Sequence, residues 1–411
     1  MSLKNEHSFF SAFIDFKNLT RYHWVFIFSV FTVINIPAIL NDWGNTNLSV
    51  MLGDSFLHGR LDISHYFMDV SVFGDKYFSP FPPFPALVTL PFTLLFGAEN
   101  VNSVAICVLI SFVSIYCLIQ IIVKLEVPDE YRIWILVGYL FGTGYWYTLI
   151  TSHHVSGFNH ITSTALLLLA VLELLNKKRV WIIALLIGCS FLSRQMTLFY
   201  SVFFILYFFF FNDGKEKFKN SFIFCITLLP FVIVYMTYNY YRFHNPFDSG
   251  YEYLDFISVS RARINQHGLF SPYYIPYNAY HLFLKGPNIL FKGDDMQNIS
   301  GIDRVGSSLI FASPFVLVSL KAVCDKKLKW SLWASIIVVM IGGLLYFNNG
   351  ADQINTQRFS LDFLPLLVVL ICYGCASIPM WLFRNLVIFS FLINVFSFVI
   401  HLFYYHLVYY K

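Results

Sequence analysis

The chain has 411 residues, of which 57% are hydrophobic, 20% aromatic and only 12% charged, with a formal net charge of +4 and a mean hydropathy of +0.64. Soluble domains carry about 25% charged residues, so the composition excludes an ordinary water-soluble protein and predicts an all-α polytopic membrane protein. No Gly-rich phosphate loop is present, which argues against direct use of a cytosolic nucleotide or nucleic acid.

The polar opening MSLKNEHS lacks a signal-peptide layout, so the first apolar run is expected to act as its own insertion signal. A crossing needs about 20 apolar residues. On that basis eleven spans are predicted, at 23–40, 103–123, 133–150, 158–175, 180–193, 195–211, 220–239, 306–320, 330–347, 360–383 and 385–409. The run Phe84–Gly97 follows three prolines and is too short to cross; it reads as a re-entrant or interfacial helix. With that return, the N-terminus and the short basic loops, together with Arg384, collect 16 of the 27 Lys and Arg but 9 of the 23 Asp and Glu, a net +7. The other side is left with −3. The positive-inside rule then puts the N-terminus in the cytoplasm and the C-terminus outside. The chain is expected to form one integral membrane domain, 1–411, with two large outer loops at 41–102 and 241–305. A bacterial cytoplasmic membrane is its expected home.

The first outer loop carries Asp42, Asp54, Asp62, Asp69 and Asp75 and closes on the run from Lys76 to Pro85. Asp69 is a candidate general base beside a cation and an aromatic platform, because a carboxylate near apolar surface takes up a proton more readily. The plainer reading is a solvated aspartate in a turn. Arg194 and Arg358 sit inside or beside spans, where an arginine is costly unless it faces a cavity or a partner. They suit a forked grip on the phosphate of a membrane-embedded substrate; snorkelling, or for Arg358 a pair with Asp362 at i+4, is the alternative. His153, His154 and His160 do not reproduce a known metal-ligand spacing. His160, at the start of a span, is placed to hydrogen-bond a polar headgroup. The seven cysteines suggest neither a disulfide framework nor a metal site, and Cys372 and Cys375 read as small packing residues.

Several ordered pieces carry a resemblance. They are Gly59-Arg-Leu, the segment Asp69 to Pro83, the run ending Leu-Phe-Gly97, Phe191-Leu-Ser-Arg194, the stretch from Tyr238 to Tyr251, Gly268-Leu-Phe-Ser271, and Gln357-Arg-Phe-Ser-Leu-Asp362 continuing to Pro365. Together with one span followed by a large outer loop, the chain resembles GT-C superfamily glycosyltransferases, specifically PMT/ArnT-like bacterial membrane proteins of the RgtA/B/C/D type. The resemblance implies transfer of a sugar from a polyprenyl-phosphate donor to a glycan, lipid or protein acceptor at the outer membrane face. It implies Asp69 as base with Asp42 as the alternative, and Arg194, Arg358 and Lys76 as partners of the donor phosphate. Tyr77, His160 and Asp362 would help line the substrate pocket. Many relatives place an Asp-Glu pair where this chain has Gly44-Asn45. Relatives differ in metal use; no cofactor is predicted here, and no metal set is legible for a divalent ion. An O-antigen polymerase or ligase, a lipid-linked glycan transporter and an inactive relative are the competing readings.

Overall fold

A computed structural model describes residues 16–42, 46–67, 69–254, 258–302, 305–349 and 358–403. In chain order the helices are α1 (Arg21–Asn41), α2 (Leu48–Leu57), α3 (Phe84–Phe96), α4 (Ser103–Lys124), α5 (Asp129–Phe141), α6 (Gly144–Ile150), α7 (Val155–Leu175) and α8 (Val180–Phe191). They continue as α9 (Tyr200–Phe211), α10 (Gly214–Phe243), α11 (Ser258–His267), α12 (Ile275–Ala279), α13 (Leu309–Ala312), α14 (Lys326–Leu345), α15 (Leu364–Gly374) and α16 (Met380–Phe403).

Among the described residues six helices, α1, α4, α7, α10, α14 and α16, are long and apolar enough to cross a bilayer. At 1.5 Å per residue, 20 residues match a hydrocarbon core of about 30 Å. The chain is therefore a multi-pass membrane protein. The helix α7 is central, with 83% of its apolar window buried against 17% for α1 and for α10. Its small polar residues allow close approach to neighbours: Ser163 and Ser190 of α8 lie 2.8 Å apart, and Ser190 donates to Thr197 at 3.0 Å.

Four predicted spans take other forms. The stretches 180–193 and 195–211 are helices shorter than a bilayer core. The stretch 306–320 is the single turn α13 followed by a 3-10 run, Pro314–Lys321. The stretch 360–383 is broken: α15 carries Pro365 in its first turn, is followed by a 3-10 turn at Cys375–Ser377, and Pro379 precedes α16. Proline lacks the amide hydrogen a continuing helix needs, so the break falls there, and Arg384 lies within α16 instead of in an inner loop. The predicted span 133–150 is bent by 45° between α5 and α6, where Thr143 donates to the Tyr139 carbonyl at 2.7 Å and accepts from the Tyr145 amide at 3.2 Å. The final residues of the predicted span 385–409, and residues 350–357, lie outside the described residues.

Close packing of α15 on the 3-10 run depends on Gly374. A Cβ there would stand 2.4 Å from the Val318 carbonyl oxygen, a backbone atom that cannot swing aside. Gly374→Ala is expected to cost about 1–3 kcal/mol, read as a lower midpoint in denaturant. A midpoint equal to wild type would show that the two segments separate freely.

The two polar loops are more ordered than an all-α reading allows, and each contains a small antiparallel sheet. In the first, β1 (Asp62–Ile63), β3 (Lys76–Phe78) and β2 (Ser71–Phe73) pair in the order β1-β3-β2, with Ile63 opposite Tyr77 and Phe73 opposite Lys76. Gly74, at φ +63°, turns β2 into β3. In the second, β4 (Ile289–Lys292) pairs with β5 (Asn298–Ile302). The expected short helix Phe84–Gly97 is α3, and it packs on α2 through a close approach at Gly53 to Thr89 and Ala86. Both helices are too short to cross. Leu94, Leu95 and Phe96 at the end of α3 stay exposed.

The loops meet on one end of the bundle. Ser71 bridges to Leu254, and its hydroxyl donates to the Gly250 carbonyl at 2.7 Å. A cluster of Leu48, Leu52, Ile63, Val70 and Ala86 seats the first loop on Val155 of α7 and Tyr238 of α10.

Candidate functional site

A cavity of about 340 Å³ lies where the two loops cap the bundle. Its lining comes from seven places in the chain: Asp69 and Phe81 of the first loop, Ser156 of α7, the Arg194–Met196 turn after α8, Tyr235 of α10, the second loop from Phe247 to Leu282, the last turns of α14, and Arg358 to Phe363. Polar groups converge on an otherwise aromatic and aliphatic wall, the usual make-up of a small-molecule site.

Arg194 holds the floor. It follows the end of α8 in an extended conformation and forms a forked pair with Asp362, Nε to Oδ1 at 3.1 Å and Nη2 to Oδ2 at 2.6 Å. Asp362 ends the 3-10 turn Arg358–Asp362. His160, fully buried on α7, brings Nδ1 to 3.3 Å from Asp362 Oδ1. The Arg194 guanidinium also stands over the Phe359 ring, 5.3 Å from its centroid. Arg194 and Asp362 cancel in charge, so Arg358, which also lines the cavity, leaves this side of it net positive.

The partner of Asp362 is therefore Arg194, 168 residues away in sequence, in place of the i+4 pair with Arg358 offered by spacing. Arg194, offered by the sequence as a fork for a phosphate, thus already has one edge engaged by a carboxylate. His160 turns inward to this carboxylate and not outward to a headgroup.

Asp69 reaches the cavity from the opposite wall. Its side chain is exposed and its φ is +66°, a left-handed conformation that costs a non-glycine residue energy. Tyr251 and Tyr346 close the cavity with rings edge to face at 6.3 Å. Burial pushes the Tyr251 phenol above its ordinary value, so it remains a hydroxyl donor at neutral pH. Asn278 fixes the end of α14 by donating to the carbonyls of Leu344 at 2.9 Å and Tyr346 at 2.7 Å.

The remaining sequence candidates lie elsewhere. Lys76 is an exposed β3 residue, 3.9 Å from Asp62, and Tyr77 packs edge-on against Tyr66 at 5.9 Å; neither lines the cavity. The alternation of side chains along a strand sends Tyr77 into the loop's own core. Asp42 is 2% exposed and also remote. Its Oδ2 accepts from the Val104 amide at 3.1 Å, tying the end of α1 to the start of α4.

Burial raises Asp42 to about 6. A raised acid binds its proton more tightly folded than unfolded, so stability falls as pH rises from about 4 through 6 and stays lower above. A shift of about two units corresponds to about 3 kcal/mol. Asp42→Asn is expected to raise the melting temperature at pH 7.5 and to flatten its decline between pH 4 and 6. An unchanged pH profile would count against a buried, proton-holding Asp42.

Sequence reasoning passed over Arg242. It is 1% exposed, stacks on Tyr238 at 3.6 Å, and donates to the Ser79 carbonyl, to the Tyr238 carbonyl at 3.2 Å and to Asn239 Oδ1 at 2.7 Å. It staples the first loop to α10. The signal available was an arginine amid aromatics at a span's end. Among the described residues no group of three or more His, Cys, Asp or Glu is placed to hold a metal ion.

No family model matches the chain, and no curated protein matches it. Two solved structures of ArnT from Cupriavidus metallidurans align with it. The one bound to undecaprenyl phosphate gives a TM-score of 0.48 at 9% identity, covering 88% of this chain and 61% of that one. The apo form gives 0.46 at 9% identity, covering 89% and 62%. The chain thus spans about three-fifths of the length of these proteins, which are of the ArnT type that the sequence resemblance named.

Proposed function

We propose that the chain is a membrane glycosyltransferase that moves a sugar from a polyprenyl-phosphate donor to a hydroxyl acceptor on a glycan, lipid or protein. The observation that carries this reading is the convergence in one cavity of Asp69, Arg194 and Arg358, 289 residues apart at the extremes. An exposed carboxylate thereby faces two guanidinium groups across an apolar and aromatic space.

In this reading the acceptor hydroxyl attacks the anomeric carbon, and Asp69 takes its proton. The bond from that carbon to the phosphate oxygen breaks, and the lipid phosphate leaves with the electron pair. Arg194 and Arg358 meet the charge that develops there. Arg194 keeps Asp362 on one edge and offers the rest of its fork to the phosphate. Aromatic rings around the cavity stack on the sugar, and the lipid tail lies among the helices, so no water-filled tunnel is needed. The segment after Tyr240 covers the acceptor.

The orientation belongs to the same proposal. Eleven crossings, taken as the six long helices, the bent pair, α8, α9, α15 and the segment 306–321, with α2 and α3 left on one side, would put the cavity end outside the cytoplasm. The net +7 of the opposite loops supports that assignment.

The test is transfer of labelled sugar from a polyprenyl-phosphate donor in membranes from cells expressing wild type, Asp69→Asn or Arg358→Ala. Transfer by wild type and its loss in both variants is expected. Transfer undiminished in both would overturn the assignment of the cavity.

A further inference from the structure

We propose that the end of the bundle opposite the cavity carries a specific site for an anionic phospholipid of the surrounding bilayer, built by α9, α10 and α14. The inference does not depend on the glycosyltransferase reading.

The helix α9 packs against both α10 and α14, so its last turn forms the floor of a groove with those two helices as walls. The floor is aromatic and uncovered: Phe209 and Phe210 are 47% and 37% exposed. A cation comes down from each wall onto this pair of adjacent rings. Lys217 of α10 places its ammonium 4.8 Å from the Phe209 centroid and 5.1 Å from that of Phe218, and Lys327 of α14 lies 5.9 Å from Phe210. Neither lysine has an acidic partner among the described residues. The acids nearby are otherwise engaged or outnumbered. Glu216 pairs with Lys219, the Asp325 carboxylate accepts the amides of Lys327 and Leu328, and in sequence Asp213 and Glu216 stand beside three lysines, Lys215, Lys217 and Lys219.

An ammonium over a ring face keeps its other donors pointing outward. Two such groups on neighbouring rings suit one phosphodiester. Below them α10 exposes an i, i+4, i+8 stripe, Phe218, Phe222 and Ile226, and α14 exposes Trp330, which gives acyl chains a surface running away from the headgroup. Charges at the mouth with apolar walls beneath fit a lipid, and fit a free anion poorly. Polybasic segments at a membrane face attract anionic lipid by the same physics.

The experiment is native mass spectrometry of the full chain released from nanodiscs of equal phosphatidylglycerol and phosphatidylcholine. Wild type should retain the anionic lipid preferentially. Lys217→Gln with Lys327→Gln should lower that retention about tenfold, while Lys217→Arg with Lys327→Arg keeps it. Equal retention of the two lipids by wild type, or an unchanged Gln double variant, overturns the proposal. So does displacement of the lipid by millimolar inorganic phosphate, which would make the site a simple anion site.

Discussion

Asp362→Ala is expected to destabilise the protein by about 3–5 kcal/mol, because it strands a guanidinium. The Arg194 side chain is 14% exposed and that of Asp362 5%, so bulk water screens the stranded charge only weakly. Asp362→Asn keeps the shape but supplies one carbonyl acceptor for two N–H donors, and its cost should fall between. Removing both charges, in Arg194→Met with Asp362→Leu, should restore most of the stability, since a buried pair gives little net gain over apolar packing. The double-mutant cycle isolates the coupling. An Asp362→Ala protein within about 1 kcal/mol of wild type would mean that the fork contributes nothing to the fold.

The second large effect is on rate. Asp69→Asn is expected to lower kcat for sugar transfer by about 10²–10⁴-fold, the contribution typical of a positioned base. The side chain is exposed, so stability should stay within about 0.5 kcal/mol of wild type. A fall in rate then reports chemistry alone. Arg358→Ala tests the phosphate side, with a loss of about 10²–10³-fold in kcat. Arg194→Ala is a poorer probe because it also leaves Asp362 buried without its fork, so its rate and stability must be measured together. Should Asp69→Asn retain full kcat while Arg358→Ala loses it, the cavity binds the donor but another group takes the proton.

Hydropathy made the long helices legible. The runs that became α1, α4, α7, α10, α14 and α16 needed only their length and apolarity to be read. Proline and glycine hid the rest: Pro365 and Pro379 fragment one predicted span, and Gly142 to Gly144 bends another, while composition alone reads both as continuous. The site was half visible. Arg194, Arg358, Asp362 and His160 stood out as ionisable groups in or beside apolar runs, and Asp69 as an acid in a loop. The fold brings all five to one place. What spacing did not reveal was pairing across 168 residues, which depends on how α7, α8 and the turn at Arg358–Asp362 stack. Lys76 and Tyr77 were drawn in by their closeness to Asp69 in sequence, yet the short β3 strand carries them into its own sheet. Asp42 looked like a loop acid because its partner, the Val104 amide, lies beyond the loop.

The staple between the polar loops has a consequence for biogenesis. Ser79 and Ser71 find their partners, Arg242 and Gly250, only 163 and 179 residues later. A nascent chain halted before α10 would hold α2, α3 and three strands with only the Val155 side of their seat and without the Arg242 staple. Nascent chains arrested upstream of Arg242 should therefore remain open to externally added protease at 62–78, and those extended past Gly250 should become resistant.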